Sequence, residues 1–314
     1  MSQIFKPLKR SIPTRERLPA NGTVDANMHV CNEFLLPYID QGNLFNQINF
    51  SVPNAFGTST GGPINASSMS GGGGTYTNYT VSQNVNLFTS TVIPAFMCPS
   101  TPRSNTITII QDQNFGSSTP WFQIGSGNDY TGLAGLGSTF KTITRTFEGN
   151  PNDLTNGIMS DGVQCGGTKI AQITDGLSNT ILLGELAGLP NFYAGDGTSA
   201  IMTGNTGKVT LTAGGSTVTH DIYGGTWTDY NTAGENFLDG QSYPGPGVNM
   251  LGSKGGACVL NCSNLNGRGL WSFHKGGVQV LMGDGTVRFL SQNMNSATFG
   301  ELVGMDDGSV VGDF

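Results

Sequence analysis

The spacing of apolar positions changes period along the chain. In MHVCNEFLLPYIDQGNLFNQINF, Met28 to Phe50, Phe34, Leu35 and Tyr38 recur at helical intervals, and Leu44, Phe45 and Ile48 do so again after Gly42. Pro37 predicts two short helices there, because a proline inside a helix removes a hydrogen bond and clashes with the preceding turn. The polar stretch STGGPINASSMSGGGGTYTNYT reads as a long loop or hairpin tip. NVNLFTSTVIPAFMCPS is apolar and β-branched, so it reads as a strand ending at Cys98-Pro99, and SNTITIIQD alternates like a half-buried strand. In TKIAQITDGLSNTILLGEL, Ile170 and Ile173 are anchors, Asp175-Gly176 turns the chain, and Thr180 to Leu186 is a core strand. AIMTGNTGKVTLTAGGSTVTHDIYGG reads as two short hairpins.

The plainest signal is FHKGGVQVLMGDGTVRFL, Phe273 to Leu290. Val278, Val280 and Met282 alternate on one strand, and Val287, Phe289 and Ser291 on the next. Asp284-Gly285 between them predicts a type I′ turn, which needs positive φ at both central residues. A short helix is expected around Ser296 to Val303, with Ser and Asn available as N-caps. Most of the chain is thus short strands and loops with helices near both ends, an α+β fold with strong β bias.

Composition agrees with that picture. The chain has 314 residues, 48 of them glycine, and only 11% are charged. Gly, Asn and Ser supply positive φ and local side-chain to backbone bonds at turns. A hydrophobic content of 36% with 17 Phe is enough for a core. The formal charge of -7 gives no general attraction for nucleic acid or acidic lipid. The basic residues of FKPLKRSIPTRERLP read as a solvated arm, residues 1–27, preceding a single head domain over 28–314. No window approaches a membrane span.

Five cysteines, Cys31, Cys98, Cys165, Cys258 and Cys262, form no C-x-x-C pair. One or two disulfides in an oxidising compartment, with a thiol left over, fit better than zinc, which would need a second cluster; the pairing stays open. His274 is one of three histidines. The intervening strand would hold His274 and Asp284 on the order of 25–30 Å apart if straight. His274 is therefore read first as a structural residue, next as a ligand or metal contact, and last as a catalytic one. Asp284 is read as turn chemistry. Glu185 is a lone acid on an apolar strand, with no partner to name. Asp306, Asp307 and Asp313 in the C-terminal tail are the candidate ligands for calcium; no other cofactor is expected. Trp121, Trp227 and Trp271 are candidates for lining a polysaccharide or solute site, although core packing is the commoner use of such rings. The glycine-rich GSGNDYTGLAGLGSTF lacks the pattern of a phosphate loop.

Taken in order, these segments resemble a bacterial family: the prepilin-type, processing-associated H-x9-DG proteins, also described as extracellular solute-binding family 10. The resemblance rests on His274, Gly276, Gly277, Asp284 and Gly285 in the hairpin. It extends to Cys98 in FMCPSTP, the GNDYTGLAG loop, Asp175, Gly176, Ser178 and Asn179 in ITDGLSNTILLGE, and Cys262 in NCSN. It implies a pilin-like or pseudopilin-like head with an antiparallel sheet, export to the periplasm or cell surface, and no enzymatic role. Implied partners are further copies or secretion-system components. The basic leader, cleavage site and apolar helix with which such proteins open have no counterpart in this sequence, so membrane attachment is expected only if such a helix exists. A polysaccharide- or solute-binding module is the alternative, and a hydrolase using His274 the third reading.

Overall fold

The computed structural model describes residues 30–50, 56–58, 84, 87–88, 91–102, 106–109, 121–137, 156–159, 168–189, 191–193, 208–213, 216–221, 224–228, 236–242, 255–265, 267–308, 311–312 and 314. The basic arm over residues 1–27 lies outside them. The fold is β-rich α+β. Strands β1 (Phe56–Thr58), β2 (Thr106–Ile109) and β3 (Trp121–Ser126) form a small sheet in the order β1-β3-β2. The principal sheet contains β4 (Tyr130–Leu136), β5 (Ile181–Glu185), β8 (Asn236–Leu238), β9 (Gly277–Met282) and β10 (Val287–Ser291), in the order β10-β9-β5-β4-β8. Its pairs are antiparallel except β4 with β8. β6 (Lys208–Ala213) and β7 (Ser216–Asp221) make one separate hairpin, where the sequence suggested two within 200–225. Among the described residues no helix is long and apolar enough to cross a membrane.

The helical reading of Met28 to Phe50 is realised as α1 (Cys31–Leu35), a 3-10 turn over Leu36–Tyr38 that contains Pro37, and α2 (Gly42–Phe45). Among the described residues of NVNLFTSTVIPAFMCPS none lies in the expected strand. Pro94–Phe96 is a 3-10 turn, because Pro94 fixes φ and offers no amide to a ladder. Its apolar residues serve packing instead. Phe88, Ile93 and Phe96 join Leu36, Leu44, Ile48 and Trp227 in one buried cluster. Ile170, expected as an anchor, is exposed, while Ile173 is buried.

The C-terminal hairpin forms where expected, but only β9 turns its alternating residues inward, while Val287, Phe289 and Ser291 lie on the exposed face of β10. Val278, Val280 and Met282 point to the core with Leu290, and α3 (Ser296–Val303) closes over them through Phe299, Leu302 and Val303. Asn295 caps α3 by accepting from the Ala297 amide at 2.8 Å. The turn differs from the expected type. Met282 N donates to Thr286 O and Gly285 N to Met282 O, so three residues close the loop. Only Gly285, at φ +89°, is left-handed; Asp284 is not among the positive-φ residues. This is a type I turn with a glycine bulge, and Asp284 locks it by accepting from both the amide and the hydroxyl of Thr286. Those two bonds, the hydroxyl's first, hold the Asp284 carboxyl below its ordinary range.

Candidate functional site

β5 and β9 run antiparallel, which sorts the sequence motifs to opposite ends of the sheet. At one end lie the Asp175 turn and the hairpin tip. Asp284 N donates to Leu177 O and Gly283 N to Thr180 O. Asn179 Nδ2 donates to Asp175 O, and Gly176 supplies the left-handed residue at φ +97°. Asp175 then accepts from the amides of Asp307 and Gly308, at 2.8 and 3.0 Å, fastening the tail. Burial nevertheless pushes its carboxyl above the usual carboxylate range, against those two bonds. This contact uses the backbone of Asp307, one of the three tail acids. Asp306 is exposed, and Asp313 lies outside the described residues.

At the other end lies His274. Its loop is fixed by two residues. Ser272 Oγ accepts from the His274 amide at 3.1 Å and donates to Gly277 O at 2.8 Å. Asn261, left-handed at φ +54°, donates to the same Gly277 carbonyl and accepts from the Ser272 amide. Gly276 is left-handed at φ +88°, and a Cβ on Gly277 would strike the Leu290 carbonyl, so both glycines are required by geometry. His274 is thereby aimed away from the hairpin tip and toward the last residue of β5.

That residue is Glu185, 2% exposed. The β5–β9 ladder runs as far as Gly184↔Val280. One residue further, the Glu185 carboxyl substitutes for the next ladder bond: Oε2 accepts from the Gln279 amide at 2.6 Å. Oε1 lies 3.2 Å from His274 Nε2. Cys98 Sγ lies 3.7 Å from the same nitrogen. Cys98 arrives from the turn after Pro94–Phe96, and buried Asp129 sets its position. Asp129 Oδ2 accepts from the Cys98 amide at 2.7 Å and Oδ1 from the Gly188 amide at 3.0 Å. Asp129's own amide donates to Phe96 O, and its carbonyl accepts from Leu186 N. One side chain thus holds three segments in register.

Burial pushes the Cys98 thiol up, and the Glu185 and Asp129 charges push the same way against bonds from Ser100. Tyr130 is pushed up to about 12, by burial first and then by the charges of Cys98, Glu185 and Asp129. Cys98 is a free thiol. Cys258 and Cys262 form a disulfide, and Cys31 is also disulfide-bonded. Cys262 lies in the loop whose Asn264 is fully used: its side chain accepts from Tyr193 N and donates to the carbonyls of Ala187 and Asn191.

Of the tryptophan candidates, Trp227 is fully buried against Phe88 and Phe96, and Trp271 is buried in a cluster with Tyr193 and Phe192. Neither lines an exposed groove. The Trp121 side chain lies outside the described residues. Sequence reading singled out His274 and Cys98 separately, and noted Glu185 without a partner. An acid closing an apolar strand was the signal that it has one.

Comparison with known families gives a match over residues 9–297 to the family described as "Protein of unknown function (DUF1559)", SBP_bac_10, and the chain belongs to that family. No curated protein and no solved structure matches the chain.

Proposed function

We propose that this DUF1559 protein is a non-enzymatic, extracytoplasmic interaction protein with a pilin-like head, which associates with further copies or with pilin-like secretion components. The observation that carries this reading is the outer face of the β9–β10 hairpin. Among the described residues β10 has β9 as its single neighbour, so it ends the principal sheet. Val287 is 66% and Phe289 46% exposed on that edge strand. An open edge with apolar side chains is a template for pairing with another chain. The disulfides support an oxidising compartment.

Sedimentation of the full chain across a concentration series tests this. Concentration-dependent association is expected, and Val287→Asp with Phe289→Asp should shift the chain toward monomer without lowering its melting temperature. A chain that stays monomeric throughout and captures no pilin-like component, or a double variant indistinguishable from wild type in both, contradicts the reading.

A hydrolase reading has one observation in its favour, the approach of Cys98 and Glu185 to His274. A relay needs the thiol and the carboxyl on different ring nitrogens, the carboxyl orienting the base. Both are on Nε2 here, and the buried thiol is pushed away from its thiolate form. This geometry supports a non-catalytic role.

A further inference from the structure

The Cys98–Glu185–His274 cluster has chemistry that an association surface does not use. Sγ, a carboxyl oxygen and an imidazole nitrogen from the three residues lie within 4.8 Å of one another. Thiol and carboxyl meet on one nitrogen, Nε2, which can serve as donor to one or acceptor to the other but not both. If Nε2 carries a proton, the proton serves Glu185 and the thiol is left with its Ser100 bonds. If it does not, its lone pair faces Glu185 Oε1 at 3.2 Å. A cation between the three accepts an electron pair from each.

Two of the three separations match a particular cation. Tetrahedral zinc with bonds of about 2.3 Å to sulfur and about 2.1 Å to nitrogen and oxygen holds S and N about 3.6 Å apart, and N and O about 3.4 Å apart. The S–N and N–O separations here are 3.7 and 3.2 Å, while Sγ and the carboxyl oxygen, within 4.8 Å of each other, would draw to about 3.6 Å on the ion. Thiolate with imidazole selects a borderline transition ion over calcium or magnesium, which take oxygen ligands. The supporting bonds are of the kind that orient ligands. The Gln279 amide holds the second Glu185 oxygen, Asp129 holds the Cys98 amide, and Ser272 holds the His274 amide. Glu185 and Asp129 are two buried acids, whose charge a divalent ion would offset.

We propose that Cys98 Sγ, Glu185 Oε1 and His274 Nε2 are the ligands of a zinc-class divalent cation, whose fourth position opens to solvent beside the imidazole. The imidazole is the exposed member of the set, with 34% of its side-chain surface accessible. Three protein ligands and one open position are the pattern of a site that also takes water or an oxygen donor from outside. The site lies at the opposite end of the sheet from Asp306 and Asp307.

The test uses the full chain, stripped with a chelator and titrated with Zn²⁺ or Co²⁺. One equivalent of either metal should bind, with Co²⁺ giving a thiolate-to-metal charge-transfer band. Cys98→Ser should abolish that band. Glu185→Gln and His274→Gln should weaken uptake by about tenfold or more, at least as much as loss of a supporting residue does. Because a variant can fail to fold, wild-type protein supplies a second readout. Zn²⁺ should protect Cys98 from alkylation, followed by peptide mass mapping. Absence of saturable uptake, a band that survives Cys98→Ser, or alkylation at one rate with and without Zn²⁺ overturns the site.

Discussion

Asp129→Ala is expected to destabilise the chain by about 2–6 kcal/mol, because two buried amide donors lose their acceptor and each orphaned group costs about 1–3 kcal/mol. The donors are those of Cys98 and Gly188. Asp129 is fully buried, so water cannot replace the lost bonds without opening the structure. Asp129→Asn should recover only part of the loss, since its amide keeps one acceptor and turns a donor toward the other N–H. The damage is expected to reach the site, because the Cys98 segment is held there by this bond. Denaturant unfolding, with alkylation of Cys98 as a second readout, checks this. A change below about 1 kcal/mol, or alkylation unchanged, would show that Asp129 does not hold the segment.

Trp227→Ala is expected to cost about 3–5 kcal/mol, the usual range for removing a fully buried tryptophan. The ring sits edge-on to Phe88 at 4.8 Å and stacks near Phe96 at 6.1 Å. Its carbonyl accepts from Asn32 Nδ2 at 3.1 Å, so the residue joins the N-terminal helices to the strand edge at Ser126, whose carbonyl takes the Trp227 amide. A residue lining a sugar site would instead lose binding with little loss of stability. Calorimetric melting separates the two: a large drop in melting temperature is expected, and a variant that melts like wild type would return Trp227 to the ligand-binding candidates.

What could be read from the sequence was local. The hairpin from Val278 to Leu290 shows itself because strand alternation is a two-residue pattern and its turn is contiguous. α3 shows itself for the same reason, and Pro37 marks the break between α1 and α2 by its own covalent geometry. The turn type was not readable. Asp-Gly suits both a two-residue and a three-residue loop, and the choice is made by the Met282–Thr286 pairing. The segment before Cys98 was misread because an apolar, β-branched run looks alike whether it joins a ladder or packs as irregular chain. Pro94 was the overlooked signal. The candidate site was unreadable as a site. Cys98 and His274 are 176 residues apart, and the ladder's end at Glu185, the pin at Asp129 and the loop bonds of Ser272 and Asn261 bring them together. Sequence did separate His274 from Asp284, since an intervening strand places them at its two ends.

The assembly around His274 is tested most directly by a double-mutant cycle between His274→Ala and Glu185→Ala, with stability measured in chelator so that no metal contributes. The expected coupling is about 0.5–3 kcal/mol, the range for residues in direct polar contact. The lost Gln279 bond belongs to the Glu185 change alone and cancels in the cycle. Additive effects, with coupling near zero, would mean that His274 and Glu185 do not meet in the folded chain, and would contradict the site.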